Sequence, residues 1–184
     1  MTKNQLESIG ISPQCDIENI HKVAFEKLKE KFYQESFEEI GSEHSKLRTY
    51  AKLKTEIGME KYLNSVENVW DRTALTKIRL SNHTLMIEKG RHQGLSENQR
   101  LCPFCDNKVE SEYHFIMECK TYEVFRQNLF VEITEVNDMF NRLDDDEKFT
   151  FVLSNPEAGK IISEYLNKTL QIRTFLVENY KQNG

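Results

Sequence analysis

The sequence predicts a mainly α-helical protein that carries one small β-hairpin. Turn-forming residues are scarce, with 7 glycines and 3 prolines in 184 residues, which disfavours a sandwich or barrel with many tight turns. Charged residues make up 30% of the chain and hydrophobic residues 38%, a mixture typical of helices with solvated outer faces. Apolar residues recur every three or four positions through most of the chain, which is the helical period.

Capping and breaking residues place the helices in order. Asp16 is suited to cap a first helix that runs to about Ile40, and Ser45 to cap a second helix that Gly58 ends. A third helix is predicted over 67–80 and a short helical piece over 83–89. A further helix is predicted to begin near Lys120, and two short helices flank the acidic turn 144–147. The last predicted helix begins near Pro156. The strand candidates lie within 101–119.

These elements divide the chain into three predicted parts. Residues 1–44 form an N-terminal helical extension, and residues 45–135 form a helical region that contains the knuckle 102–119. Residues 136–184 supply C-terminal helices that pack on that region.

The knuckle has the pattern Cys-x2-Cys-x8-His-x4-Cys, formed by Cys102, Cys105, His114 and Cys119. Zn²⁺ prefers a tetrahedral set of thiolate and imidazole ligands, and a Cys-x2-Cys pair points both sulfurs inward from one tight turn. Unrelated thiols would not account for this spacing. We therefore expect one zinc ion, and a structural one, because four ligands leave no open position for water. The fourth cysteine, Cys15, lies in a polar lead-in and is expected to be a bystander.

Positive charge is concentrated in the middle of the chain. The whole chain has a formal net charge of -5, yet residues 46–100 hold eleven Lys or Arg against six Asp or Glu, which leaves about -10 for the rest. Such a distribution suits either a phosphate-binding surface or a mixed-charge helical surface. No apolar run reaches the roughly 18 residues of a membrane span, and the first ten residues lack a signal-peptide core. We expect a cytoplasmic or nuclear protein that makes no membrane contact.

Three segments resemble the tails of endonuclease–reverse transcriptase proteins of animal mobile elements: residues 45–63, 72–95 and 100–126. The knuckle itself is similar in spacing to the C-terminal zinc-binding region of non-LTR retrotransposon reverse transcriptases. The resemblance covers about residues 45–130. It does not carry over polymerase activity, because the chain has no paired catalytic aspartates on an apolar hairpin. What it implies is binding of RNA or DNA.

The resemblance and the charge pattern together nominate the residues that contact nucleic acid. Long cationic side chains contact phosphates without sequence preference, while His83, His92 and Tyr113 are suited to stack on bases or hydrogen-bond to them. Tyr50 and Trp70 are expected in the core instead. The candidate phosphate-binding residues are Lys46, Arg48, Lys52, Lys54, Arg72, Lys77, Arg79, Lys89, Arg91 and Arg100.

The sequence thus predicts a zinc-binding, nucleic-acid-binding module derived from a retrotransposon tail. The alternative is a zinc-stapled domain that binds a protein partner and no nucleic acid, which the acidic ends and the long last helix favour. We expect no enzyme, because no phosphate-binding glycine loop, nucleophile elbow or acid/base carboxylate pair is present. A nuclease centre at Asn82 and His83 would lack further ligands. The choice between RNA and DNA and the oligomeric state stay open.

Overall fold

The computed structural model describes residues 13–42, 45–56 and 58–182, and these are mainly helical, as predicted. The chain divides into two compact units, Met1–Ser45 and Lys46–Gly184. The predicted boundaries at 44/45 and 135/136 stay predictions. The helices are α1 (Pro13–Gly41), α2 (Arg48–Leu53), α3 (Tyr62–Ser65), α4 (Val69–Arg79), α5 (Met86–His92), α6 (Glu123–Val136), α7 (Asp145–Ser154) and α8 (Gly159–Gln182).

In the described part of the first unit, residues 13–41 form one long helix, α1, and most of its apolar side chains are exposed. Ile17, Ile20 and Leu28 are 59%, 61% and 67% exposed, and Phe25 and Phe32 are 65% and 59% exposed. Apolar residues occur on more than one side of this helix, so it has no single core-facing stripe of the usual kind.

The second unit is built around α8, which packs mainly against α4 and also against α6 and α7. Leu75 and Ile78 of α4 and Ile162 and Leu166 of α8 are fully buried in this interface. Each such side chain stabilises the fold by about 1.5–3 kcal/mol relative to an exposed one. Burial of these apolar stripes therefore fixes α4 and α8 against each other.

Side-chain caps set where α4 and α7 begin. The Asn68 carboxamide oxygen accepts hydrogen bonds from the backbone N–H groups of Trp70 and Asp71 at 2.9 and 3.2 Å. Asp144 and Glu147 form a reciprocal capping box at the start of α7. The acidic run 144–147 therefore forms the N-cap and first turn of a helix, and its carboxylates stabilise the helix through the partial positive charge at its N-terminus.

The predicted β-hairpin is not observed. No β-strand occurs among residues 13–42, 45–56 and 58–182, and the knuckle has one isolated antiparallel bridge between Leu101 and Val109. The chain turns at Pro103 and again at Ser111, whose hydroxyl accepts from the His114 N–H at 3.0 Å. Too few residues remain between these turns for a ladder of paired strands.

Candidate metal centre

Two short turns bring four metal-binding side chains together. Cys102 follows the bridge, and its N–H donates to the Lys108 carbonyl at 2.7 Å, which closes the turn that carries Cys105. His114 begins a π-helical turn, His114–Glu118, and the Cys119 N–H donates to the His114 carbonyl at 2.7 Å. This wide turn returns Cys119 to the side of the cysteine pair.

Two of the distances between the sulfurs match those of a tetrahedral metal centre. The Sγ atoms of Cys102 and Cys119 are 4.0 Å apart and those of Cys105 and Cys119 are 3.6 Å apart. With metal–sulfur bonds of about 2.3 Å, a tetrahedral ion holds its sulfurs about 3.8 Å apart. One nitrogen of His114 and the three sulfurs all lie within 4.8 Å of one another. The four residues are therefore close enough to hold one metal ion.

The ring of His114 is oriented for metal binding. Its Nδ1 lies 3.0 Å from Oε2 of Glu118, one turn later on the same helical segment. Its Nε2 is buried and has no hydrogen-bond partner. A carboxylate that accepts from Nδ1–H leaves the Nε2 lone pair free, which is how metal-bound histidines are usually held. Glu118 is thus a positioning residue that the sequence motif did not nominate, although its four-residue offset from His114 was visible.

The three sulfurs restrain one another's ionisation. The hydrogen bond from Cys102 lowers the pKa of Cys119 to about 3, and the same contact raises the pKa of Cys102. Burial raises the pKa of Cys105. Without a metal ion, the protein thus favours one thiolate, at Cys119, and two neutral thiols. A divalent cation would stabilise several thiolates at once.

Aromatic side chains pack behind the centre. The rings of Phe115 and Tyr122 meet edge to face with centroids 4.7 Å apart, and Phe104 approaches Tyr122 at 6.4 Å. The Arg126 guanidinium donates to the Cys119 carbonyl at 3.0 Å, which ties the last ligand to α6. The centre is therefore joined to the hydrophobic core and not only to its own loop.

The segment between the ligand pairs is anchored to α8 by a buried ion pair. Arg173 donates two hydrogen bonds of 2.6 Å each to the carboxylate of Glu110. The two side chains are 5% and 1% exposed. Oε2 of Glu110 also accepts from the Met86 N–H at 2.6 Å, at the start of α5. Glu110 therefore links the knuckle to both helices.

A second buried carboxylate anchors the same segment to α2. Glu112 accepts hydrogen bonds from Arg48 at 2.6 Å and from the Ser81 hydroxyl at 2.9 Å, and it lies 2.8 Å from Nε2 of His83. Arg48 also contacts Glu88 at 2.5 Å. Burial raises the pKa of Glu112, but its hydrogen bond with His83 and the positive charge of Arg48 lower it to about 2.

Six of the ten candidate phosphate-binding residues are engaged within the protein. Arg79 is 2% exposed and contacts Glu60 and the Leu153 carbonyl, so a buried guanidinium there supports the fold and does not reach a phosphate. The other engaged residues and their partners are Arg48 with Glu88 and Glu112, Lys54 with Glu60, Arg72 with the Val66 carbonyl, Arg91 with Glu88, and Arg100 with the Ile87 and Leu95 carbonyls.

The remaining four candidates are lysines without an ion pair to any other described residue. Lys46, Lys52 and Lys77 are exposed, and Lys89 is half-buried. They lie on α2, α4 and α5 and on the loop before α2.

The ring-bearing candidates have different surroundings from those expected. The His83 side chain is 1% exposed, so it supports Glu112 and is not available for stacking. Tyr113 is half-buried against Phe149, with centroids 5.3 Å apart, and His92 is exposed. Trp70, expected in the core, is 75% exposed. The expectation for Tyr50 fits better, because it is half-buried and its hydroxyl lies 3.1 Å from Glu60.

The geometry of α4 accounts for the exposure of Trp70. The buried face of this helix is centred near Leu75 and Ile78. At 3.6 residues per turn, Trp70 lies roughly 110° from the middle of that face. The apolar spacing between Trp70 and Ala74 was therefore a misleading signal, because the stripe that is buried runs along the neighbouring side.

No described helix is long and apolar enough to cross a membrane. Comparisons with protein-family models, with curated proteins and with solved structures each found no match.

Proposed function

We propose that this chain binds one structural zinc ion through Cys102, Cys105, His114 and Cys119, and that the fold so stabilised is a nucleic-acid-binding module. The grouping of three sulfurs and one imidazole nitrogen within 4.8 Å of one another carries the metal part of the proposal. Thiolate and imidazole ligands favour zinc over magnesium or calcium, which prefer oxygen ligands. The binding free energy of such an ion is also folding free energy for the knuckle.

Metal content measured on the purified full chain tests the zinc proposal. We expect about one equivalent of zinc in the wild type, and its loss in Cys105→Ser. Cys15→Ser is the matched control, because Cys15 belongs to the other unit of the chain. Replacement by Co²⁺ would report thiolate ligation through its visible absorption. Wild-type protein that is folded and holds no zinc would overturn the proposal.

The exposed face of α4 supports the nucleic-acid part. Trp70, Thr73 and Lys77 lie three and four residues apart on the solvent side of this helix, and Arg72 lines a small cleft beside Lys77. A base that stacks on an exposed aromatic side chain gains about 1–3 kcal/mol, while lysine and arginine contact the backbone. An exposed tryptophan with an exposed lysine two turns further along the same side of the helix is thus suited to single-stranded RNA or DNA.

The similarity of residues 45–130 to the tails of non-LTR retrotransposon reverse transcriptases supports the same proposal from the sequence. In this proposal the module derives from such a tail and has no polymerase activity of its own. The stacking residue and the lysines then hold the strand, and the metal centre keeps the surrounding fold in place.

Fluorescence of the protein's single tryptophan gives a direct test. Single-stranded oligonucleotides should quench Trp70, and their affinity should fall steeply as salt rises, because binding releases counterions. Lys77→Ala should weaken binding, whereas Lys160→Ala should not, since Lys160 is an exposed lysine of α8 that already pairs with Glu164. No binding of RNA or DNA at low salt would overturn the proposal.

One observation favours the alternative function, a protein-interaction domain. The exposed apolar side chains of α1, Ile17, Ile20, Phe25, Leu28 and Phe32, are those that a helix-in-groove interface would cover. Such an interface is far less sensitive to salt than phosphate binding. Self-association of the full chain, measured by sedimentation, that persists at high salt and is lost in Leu28→Glu would support the alternative.

A further inference from the structure

A cleft of about 530 Å³ lies between α5 and the C-terminal half of α8, away from the metal ligands. Its volume is within the range of about 300–1,000 Å³ that is usual for ligand pockets. The loop before α5 contributes two residues, α5 and its C-cap three, and α8 four. The lining residues are His83, Thr84, Lys89, His92, Gln93, Arg173, Thr174, Val177 and Glu178.

The inner wall of the cleft is held rigid by buried polar contacts. Nδ1 of His83 accepts from the Leu85 N–H at 3.3 Å, so its Nε2–H donates to Glu112 at 2.8 Å. Arg173 is fixed by its two hydrogen bonds to Glu110. These two lining residues keep their positions without a ligand, and a preorganised site loses less conformational entropy when it binds one.

The outer part of the cleft has free groups of three kinds. Lys89 forms no ion pair with another residue in the described part of the chain, and it is half-buried beside the exposed imidazole of His92. Val177 supplies an apolar surface on the opposite helix. Glu178 is exposed at the same helix end, so a carboxylate and an ammonium both border the cleft.

This combination fits a nucleotide better than a plain anion. A free phosphate or sulfate would gain from Lys89 but would be repelled by Glu178 and would not use Val177. A nucleotide offers a phosphate for the ammonium, a flat apolar base for the imidazole and valine, and amino or hydroxyl donors for the carboxylate. An apolar peptide segment would leave the charges of Lys89 and Glu178 without partners.

We propose that this cleft takes one unstacked nucleotide of a single-stranded RNA or DNA, with its phosphate at Lys89, its base between His92 and Val177, and a donor group at Glu178. This inference rests on the proposed nucleic-acid binding and adds a second contact site to the α4 face. It assigns the ligand as single-stranded, because a base paired within a duplex does not enter a cleft between two helices.

Two variants test the cleft in the full-length, zinc-loaded protein. Lys89→Ala removes the phosphate contact, and Val177→Phe fills the space for the base. Lys89→Ala should weaken the binding of a short single-stranded oligonucleotide about tenfold, as expected for loss of one charge-assisted contact. Val177→Phe should weaken the same binding because the base no longer fits, and both variants should keep the thermal stability and zinc content of the wild type. Lys160→Ala is the matched control on α8 and should bind as the wild type does. A duplex of the same sequence should be indifferent to Val177→Phe.

The outcomes separate this inference from the proposed function. If the oligonucleotide binds and Trp70→Ala weakens it while Lys89→Ala and Val177→Phe do not, the cleft inference is overturned and the proposed function stands. If the wild type binds no nucleic acid, the proposed function fails. A titration with a nucleoside monophosphate, followed by resonances of α5 and α8, then decides the cleft alone: saturable shifts that Val177→Phe abolishes support it, and no shifts overturn it.

Discussion

Removal of Arg173 should expose how strongly the metal-binding segment depends on α8. In Arg173→Met the methionine retains the packing of the aliphatic stem, but the carboxylate of Glu110 loses two hydrogen bonds of 2.6 Å and its opposite charge. Glu110 is 1% exposed as a side chain, so water cannot replace the guanidinium without opening the core. One donor remains, the Met86 N–H at 2.6 Å.

The expected cost is large for one substitution. Breaking a buried ion pair from one side destabilises a protein by about 3–5 kcal/mol, chiefly because the other charge stays buried without a partner. For a domain of this size, each kcal/mol lowers the melting temperature by roughly 2–4 °C, so Arg173→Met should melt about 6–20 °C below the wild type.

The double variant separates charge burial from packing. In Arg173→Met/Glu110→Gln the neutral amide oxygen can still accept from the Met86 N–H, so most of the lost stability should return, to within about 2 kcal/mol of the wild type. Urea unfolding in excess zinc keeps the metal occupancy constant across the series. Lys160→Met, in an exposed pair on the same helix, should change stability by less than about 1 kcal/mol. Additive effects of the two core substitutions would refute the reasoning, since an ion pair must show coupling.

Two further predictions concern stability. Burial raises the pKa of Glu60, but the hydrogen bond from Lys54 and neighbouring positive charge lower that pKa below its usual 4.5. The contribution of Glu60 to the free energy of unfolding is therefore complete above pH 4.5 and is lost as the pH falls through the pKa of the folded state. The stability gap between wild type and Glu60→Gln, measured by urea unfolding, should therefore shrink from about pH 6 to about pH 3; an unchanged gap would contradict this. Gly90→Ala should destabilise by about 1–3 kcal/mol in thermal melts, because a Cβ there would lie 2.6 Å from Cγ of the anchored Arg100 side chain. Gly58→Ala, with nothing within 4 Å, should stay within about 0.5 kcal/mol of the wild type, and equal effects at both glycines would argue against the steric cause.

The sequence predicted the type of secondary structure correctly where residues close along the chain determine it. The helical period and the scarcity of glycine and proline predicted the mainly α fold, which the structure confirms. The two predicted caps were wrong, because Asp16 lies inside α1 and the N-cap of α2 is Leu47 and not Ser45. The hairpin prediction was wrong because it assigned the residues between the two ligand pairs to paired strands. It took no account of Ser111 and the π-helical turn at His114–Glu118, which use the residues that a second strand would need.

Signals that depend on distant contacts misled the assignment of surface residues. The spacing of Trp70 on α4 suited a core position, but the buried side of that helix is chosen by α8. Arg79 looked like one more surface cation, yet it pairs with Glu60 in the interior. Neither outcome is visible in a helical wheel, because the wheel does not say which stripe a neighbouring helix will cover.

The sequence by itself determined the four residues that lie close enough to hold a metal ion, since all four fall within 18 positions and two local turns suffice to bring them together. Tertiary structure decided which charged groups remain free to bind a ligand. Arg48 reaches Glu112 across 64 positions and Arg173 reaches Glu110 across 63, and such pairs form only when packing brings the two side chains out of water together. Spacing along a chain fixes the geometry of a turn, but burial and pairing are properties of the packed whole.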